Sequence, residues 1–490
     1  MPERLRILLV CSEVEPFAKT GGLADVTGAL PKALAGLGHD VRVLMPKYRG
    51  VERHTPMLEP VLPRLRVPIA DRHVEGAVLE GRLGPNVPIY FVANDHYYDR
   101  DGLYATPDGD YWDNCERFAF FCRAIVEAMR GLPWRPQVIH ANDWQTGLVP
   151  VYLSTRYRDD PVCAGMATLF TIHNLAYQGV FWHYDMPLTG LGWDLFTPPG
   201  IEFYGKISFL KGGLVFSDIL TTVSRTYARE IQTPELGSGL EGVLQERSQD
   251  LHGVVNGIDY EAWNPETDPE IPKRYTVDDL EGKRSCKASL REELGLRDAE
   301  GLLIGMVTRV AEQKGIQLVL GGLSELLAEG CQLVVLGSGD PSVEKALTEA
   351  AERHPGQVRV HLGYDAKLAR RIYAGSDCFL MPSRYEPCGL GQLISLRYGT
   401  VPVVRWTGGL VDTVTEFDPT RRAGTGFGFA AFSATALVDA VRRTLAVHRQ
   451  PDLWHALIRN GMARDFSWEA SAREYVTLYR KALKKHRSDE

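Results

Sequence analysis

Two turns in this 490-residue chain pair glycines beside charged residues, Lys19-Thr20-Gly21-Gly22-Leu23-Ala24-Asp25 and Arg405-Trp406-Thr407-Gly408-Gly409-Leu410-Val411-Asp412. Each stands where an apolar, strand-like run gives way to a helix-like run. A glycine pair there lets the backbone approach a ligand closely, and the first N–H groups of the following helix favour an anion such as a phosphate. Further polar clusters follow other strand-like runs. They are Glu13 after the first, Asn142-Asp143-Trp144, His173-Asn174-Leu175-Ala176-Tyr177-Gln178-Gly179, Arg309 with Lys314-Gly315, and Ser383-Arg384-Tyr385-Glu386-Pro387-Cys388-Gly389-Leu390.

The elements that must position these groups are short apolar runs separated by helical patterns. In the first half the strand candidates are 7–10, 41–45, 89–93, 137–140, 168–172 and 219–223, with a less regular stretch between Gly50 and Tyr90 that reads as an extended hairpin insertion. In the second half they are 302–307, 332–336, 358–362, 378–381 and 401–404. Runs without strict alternation, separated by helices, predict parallel sheets covered on both faces, and such sheets bind ligands at the carboxyl ends of their strands. Three prolines at positions 265, 269 and 272 resist helix and sheet alike. The expected domains are therefore 1–264 and 265–462, with 463–490 a C-terminal helix whose Trp468, Tyr475, Leu478 and Tyr479 pack back on the first domain.

Length and composition fit that plan. The chain exceeds one core and divides into two domains of roughly 200–250 residues. Hydrophobic residues make up 44% and charged residues 24%, with a formal net charge of -7, which argues against nucleic acid or an anionic membrane as the main partner. Eight cysteines without C-x-x-C pairs or metal-like spacing point to a reducing compartment. No apolar stretch reaches the ~20 residues of a membrane span, and a strand candidate beginning close to Met1 leaves no room for a targeting peptide. A cytoplasmic protein is expected.

These blocks, in this order, resemble the bacterial glycogen synthases and plant starch synthases, retaining glycosyltransferases that use ADP-glucose. The resemblance runs from Cys11-Ser12-Glu13 to the C-terminal helix and rests on Lys-Thr-Gly-Gly-Leu-Ala-Asp-Val, His-Asn-Leu-Ala-Tyr-Gln-Gly, Ser-Arg-Tyr-Glu-Pro-Cys-Gly-Leu and Arg-x-Thr-Gly-Gly-Leu together. It implies an α/β chain of two Rossmann-like doubly wound domains facing a central cleft, the GT-B fold. It also implies transfer of glucose to the non-reducing 4-hydroxyl of an α-1,4-glucan with release of ADP, and no cofactor or metal. Its partners would be ADP-glucose and glycogen, with no nucleic acid and no membrane.

The resemblance also assigns roles. Arg309 and Lys314 would meet the charge developing on the leaving diphosphate, Arg gripping two oxygens and Lys adding a mobile charge. Thr407, Gly408 and Gly409 would offer N–H groups to the distal phosphate, while Lys19, Gly21 and Gly22 would close on it from the other domain. His173 would bind a glucose hydroxyl and turn its carbonyl toward the anomeric carbon, and Glu386 would stabilise the oxocarbenium-like state beside the glucose ring. Asp143 would bind acceptor or handle a proton. Tyr364 would stack on the base, and Asn256, Cys388, Gly389, Leu390 and Glu13 would line the donor site, Cys388 being sensitive to thiol reagents. Tyr98 and Asp25 would lie at the acceptor cleft.

Plainer readings exist for each: a solvated surface pair for Arg309 and Lys314, a hydrogen-bonded structural histidine, a core tyrosine at 364, a helix N-terminal acid at 386. Two positions depart from the wider pattern. Ile394 stands where the superfamily often has a second Glu, which removes that acid from any mechanism, and Trp406 replaces a basic residue beside Arg405. A same-face mechanism, in which the departing phosphate oxygen takes the incoming proton, then fits better than two displacements through a carboxylate. The competing classes are a nucleotide-sugar epimerase of the same fold and a non-catalytic nucleotide- or glucan-binding protein. A dehydrogenase would need a G-x-G-x-x-G that Gly21-Gly22 does not supply. Donor-driven domain closure is also expected.

Overall fold

The computed structural model describes residues 3–488. The chain divides into two compact units, one formed by Met1–Val254 with Trp468–Glu490, the other by Val255–Ser467.

The first unit is built on strands β1 (Arg6–Val10), β2 (Asp40–Pro46), β3 (Glu59–Ile69), β4 (Arg72–Arg82) and β5 (Pro88–Ala93), a small hairpin of β6 (Ala105–Thr106) and β7 (Gly109–Asp110), then β8 (Val138–Asn142) and β9 (Ala167–Ile172). β10 (Val180–Trp182), β11 (Glu202–Phe203) and β12 (Lys206–Ser208) form a separate antiparallel sheet, and β13 (Ile219–Thr222) and β14 (Leu251–Gly253) complete the set. The main sheet has nine strands in the order β14-β13-β9-β8-β1-β2-β5-β4-β3. Every pair from β14 to β5 is parallel, and β4 and β3 add an antiparallel ribbon. The irregular stretch after Gly50 is thus a long hairpin that extends the sheet. Strand order reverses between β1 and β8, the point at which a doubly wound sheet opens a crevice at its carboxyl edge.

β1, β8 and β9 are buried nearly throughout because helices cover both faces. One cover is the C-terminal helix Trp468–Ser488, which lies against the helix Gly22–Gly36 and strand β9 and buries Tyr475 and Tyr479 completely. The Tyr479 hydroxyl reaches His140 Nδ1 on β8 at 2.8 Å.

The second unit carries β15 (Leu303–Val307), β16 (Gln332–Gly337), β17 (Val358–Leu362), β18 (Cys378–Met381), β19 (Val401–Arg405) and β20 (Phe427–Phe429) in one wholly parallel sheet ordered β17-β16-β15-β18-β19-β20. Neighbouring residues face opposite layers. Ile304, Leu333 and Val335 pack under the helices Ile316–Ala328 and Ala434–His448, while Leu303, Val334 and Leu336 pack against Leu290, Leu368 and Ile372 of the helices Glu281–Glu293 and Ala366–Gly375. Strand order reverses between β15 and β18.

The units divide at Val254/Val255 and Ser467/Trp468, ten residues before and five after the breaks that the prolines and the helix pattern indicate. The proline-rich stretch belongs to the second unit because polar anchors hold it there. Buried Asp268 accepts from Tyr398 Oη and pairs with Arg370 at 3.1 Å, and Ile258 N donates to Phe466 O at 2.8 Å.

Candidate active site

In the second unit, the turns after β15, β18 and β19 converge at the strand-order reversal. Lys314, at the end of the turn after β15, places Nζ 2.7 Å from Glu386 Oε2, and Ser383 Oγ donates to the same oxygen at 2.9 Å. The carboxylate is buried, and Lys314 is mostly so. Gly315 turns the chain from Lys314 into the helix at φ +70°, and a Cβ there would stand 2.1 Å from Pro382 O. Arg309 is exposed, and its guanidinium donates to Gln313 Oε1 at 3.3 Å. It is the more open of the two expected phosphate cations.

The glycine pair after β19 packs on the Glu386 loop. Gly408 has φ +46°, and an added Cβ would lie 1.9 Å from Glu386 O; at Gly409 it would lie 2.1 Å from Cys388 O. Gly409 N donates to Glu386 O at 3.0 Å, so this amide is committed within the chain instead of being presented to a phosphate. The pair's evident physical role is to let two turns meet without side chains between them. Thr407, buried and extended, precedes the short helix Gly408–Thr413 without a side-chain capping bond. Arg405 fastens the neighbouring loop by donating to Arg384 O at 2.7 Å.

Cys388 is buried, and burial pushes its thiol up to about 12, which makes it a poor nucleophile rather than a reactive site thiol. Asn256 is buried beside it, and its Oδ1 has no hydrogen-bond partner among the described residues. An orphaned amide oxygen of that kind is the usual mark of a site that takes a polar ligand or water. Gly389 turns at φ +77°, with Leu390 half-buried after it. Tyr364, at 87% exposure, follows β17 on a turn opened by Gly363 and is no core residue.

In the first unit, the ends of β1, β8 and β9 meet at the other strand-order reversal. Asn142 donates through Nδ2 to Val10 O at 3.2 Å and His140 O at 3.1 Å, which turns its Oδ1 toward His173 Nε2 at 2.9 Å. Nε2 therefore carries the proton, leaving Nδ1 as an acceptor. Burial pushes the His173 pKa down to about 3, so the ring is neutral at pH 7. Asp143 Oδ1 accepts from His173 N at 2.7 Å. Burial raises the Asp143 carboxyl to about 7, with the His173 N–H opposing and Glu13 adding to the rise. Asp143 also holds φ 56° and ψ -179°, a conformation that costs a non-glycine residue energy and is typical of positions that position chemistry.

Three expected site residues have other work in this structure. Glu13 is a clamp, since its carboxylate accepts from Thr20 N at 2.6 Å, Thr20 Oγ1 at 2.7 Å and Tyr104 Oη at 2.8 Å, holding the Lys19 turn against β1. Asp25 is an ion-pair partner of Lys19 at 2.6 Å. Tyr98 is a fully buried core residue that packs edge-on to Tyr48 and donates to Arg117 O at 3.1 Å. Gly21 and Gly22 meet nothing within 4 Å of a built Cβ, so open space lies where their side chains would be. Asn142 and Ser383 lie inside the polar clusters after their strands but carry no assigned role there, and Tyr104 lies outside every cluster; each acts by fixing a neighbour, which spacing does not reveal.

Comparison with known proteins gives this geometry its context. Residues 6–246 match the family described as starch synthase catalytic domain, and residues 289–463 match glycosyl transferases group 1. The glycogen synthase of Syntrophotalea carbinolica is 52% identical over 98% of this chain and 100% of its own length. That of Thermotoga petrophila is 48% identical over 98% and 99%. The catalytic domain of starch synthase IV from Arabidopsis thaliana, solved bound to ADP and acarbose, superposes with a TM-score of 0.89 at 32% identity, covering 98% of this chain and all of that one. Sucrose-phosphate synthase from Thermosynechococcus elongatus, at 19% identity and a TM-score of 0.59, shares the fold. The two doubly wound units are those of the GT-B fold, and the chain belongs to the glycogen synthase and starch synthase family of glycosyltransferases.

Proposed function

We propose that the chain transfers glucose from ADP-glucose to the non-reducing 4-hydroxyl of an α-1,4-glucan, with retention and release of ADP. The observation that carries this reading is end-to-end likeness to glycogen synthases at about half identity, with the polar blocks seated at both strand-order reversals. A nucleoside diphosphate and an oligosaccharide mimic bound to a starch synthase of the same fold support the choice of ligands.

In the reaction we assign Arg309 and Lys314 to the diphosphate, where fixed cations stabilise charge that develops only in the transition state. Glu386, held by Lys314 and Ser383 through one oxygen, offers its other oxygen to the sugar and favours positive charge at the anomeric carbon. Neutral His173 accepts a hydrogen bond from a glucose hydroxyl at Nδ1, while Lys19 and Tyr364 bind the phosphate and the base. A carboxylate so engaged is a stabiliser instead of a nucleophile, which favours the same-face route. Asp143, poised near neutrality, suits acceptor binding with proton handling. No metal or cofactor enters this scheme, so EDTA should leave the rate unchanged.

We assign the enzyme to the cytoplasm. Its eight cysteines are all unpaired, and among the described residues no helix is long and apolar enough to cross a membrane. The deciding experiment follows labelled glucose into glycogen from ADP-glucose and UDP-glucose side by side. Faster incorporation from ADP-glucose is expected. Tight nucleotide binding without incorporation at high enzyme would instead establish a binding protein.

A further inference from the structure

A polar side chain buried in an apolar layer carries a cost that a hydrocarbon of the same size avoids. Gln392, on the first turn of the helix Gly391–Arg397, is wholly buried, and its helix neighbours Leu393 and Ile394 fill the core as hydrocarbon. Its amide nitrogen donates to Cys388 O at 3.0 Å, Gly389 O at 3.0 Å and Thr413 Oγ1 at 3.1 Å. The Thr413 hydroxyl, having accepted, donates in turn to Gly409 O at 2.6 Å. A directional link therefore runs from the Cys388–Gly389 turn through one amide and one hydroxyl to the Gly408–Gly409 turn. Thr413 is itself buried and closes the short helix Gly408–Thr413.

The other end of the amide is unsatisfied. Gln392 Oε1 is buried without a hydrogen-bond partner among the described residues, and a Cβ built on Gly389 would stand 2.4 Å from it. Turning the amide over would set that oxygen against the Cys388 and Gly389 carbonyls, so the two carbonyls fix its orientation and the orphaned acceptor is the cost. A group that commits its donors to two turns and leaves its acceptor unpaired serves placement more than stability.

These turns need such a tie. The helices that follow them have only seven and six residues, and helices of that length have little stability of their own. Groups that meet a diphosphate act fully only when their spacing is set before it arrives, since a turn ordered on binding subtracts that ordering from affinity.

We propose that Gln392, acting through Thr413, is a positioning residue for the donor's diphosphate, setting the distance between the Cys388–Gly389 and Gly408–Gly409 turns. The proposal rests on the ADP-glucose reading given above. Both side chains are buried and reach the ligand only through the backbone they hold, so their loss should act on the donor and not on the glucan.

Calorimetric titration with ADP, together with initial rates, tests this on the full chain. Gln392→Met keeps the size and removes the hydrogen bonds, Thr413→Val breaks the same link more gently, and Thr413→Ser keeps the hydroxyl. The first two should each raise the Kd for ADP and the KM for ADP-glucose about tenfold, roughly the worth of one hydrogen bond, with KM for glycogen unchanged. The double variant of Gln392→Met with Thr413→Val should be no worse than Gln392→Met alone, because the side chains form one link. Thr413→Ser should bind ADP as wild type does. Wild-type ADP affinity in Thr413→Val, additive losses in the double variant, or donor and acceptor KM rising together as in a general loosening would each overturn the proposal. Should Gln392→Met fail to fold, Thr413→Val against Thr413→Ser decides alone. A wild type that binds ADP but transfers glucose to no glucan would overturn the transferase reading, while the ADP affinities of the variants would still decide the positioning role.

Discussion

Lys314 and Glu386 are buried together, and that sets what single substitutions there can report. Removing one member of a buried pair strands the other, which is costly in itself, so the informative change keeps size and hydrogen bonding. Glu386→Gln leaves an oxygen to accept from Ser383 and Lys314 but removes the negative charge. We expect kcat to fall by about 10²–10³-fold, as for loss of one transition-state electrostatic partner, with KM for donor little changed. A fall in affinity alone would move Glu386 out of the chemistry. A second prediction concerns acid. His140 and His173 are held at about 3, below the ordinary 6.5, so between those limits the unfolded chain binds protons that the folded unit refuses. Stability is full above pH 6.5 and drains away as pH falls toward 3. Asp143 acts oppositely, since its raised pKa of about 7 favours the folded state at low pH and loses that effect as pH rises from 3.8 to 7. Two histidines outweigh one carboxyl over a similar span. The urea midpoint of the first unit should therefore be lower at pH 5 than at pH 7, and the gap should widen in Asp143→Asn. Equal midpoints would show that these groups titrate normally. Sequence placed Lys314, Glu386, His173 and Asp143 at strand ends, where the structure also brings Lys314 to Glu386 and His173 to Asp143. It did not show that Glu13, Asp25, Tyr98 and Gly409 bond within the chain, because a carboxylate, an aromatic or an amide near a site looks the same whether it faces a ligand or its own chain.

Elements were legible wherever burial on both faces left an uninterrupted apolar run, as in β1, β9, β15 and β16. The β3 and β4 ribbon was visible only as irregularity, because a half-exposed strand carrying Arg64, Arg66, Glu75 and Glu80 does not advertise a core. The unit boundary was displaced because prolines mark where regular structure stops, while contacts such as Asp268 with Tyr398 decide to which body the chain adheres. The C-terminal helix shows how a distant element enters a site's support. Tyr479 bonds His140 Nδ1, the other ring nitrogen meets Thr171 Oγ1 at 2.6 Å, and Thr171 meets Thr221 at 2.5 Å, linking the helix to β8, β9 and β13. Tyr479→Phe breaks that chain without leaving a cavity and orphans a buried ring nitrogen. A loss of about 1–2 kcal/mol in the first unit is expected, read from its denaturant midpoint at constant m-value. Wild-type stability in this variant would mean that a water replaces the hydroxyl or that the network carries no energy.

At the scale of the whole chain, the first unit is assembled from two separated segments and the second from one continuous stretch, residues 255–467. Each has its own sheet, mixed in the first and wholly parallel in the second, and its own buried core, the condition for separate cooperative transitions. Of the residues we assign to the diphosphate and base, Arg309, Lys314 and Tyr364 belong to the second unit and Lys19 alone to the first, which also holds the acid-sensitive histidines. Ligand and pH should then act on different transitions of one molecule. In calorimetry at pH 7, ADP at a hundred times its Kd should stabilise the second unit by about 2.7 kcal/mol and raise its transition, while the first shifts far less. Acidification to pH 5 should lower the transition of the first unit through His140 and His173. Coincident shifts of both transitions with ADP would show either that the nucleotide is gripped equally by Lys19 and its neighbours or that the units unfold as one. Repeating the titration with Lys19→Ala separates these outcomes: restored independence assigns the coupling to that lysine, and persistent coupling assigns it to the units themselves.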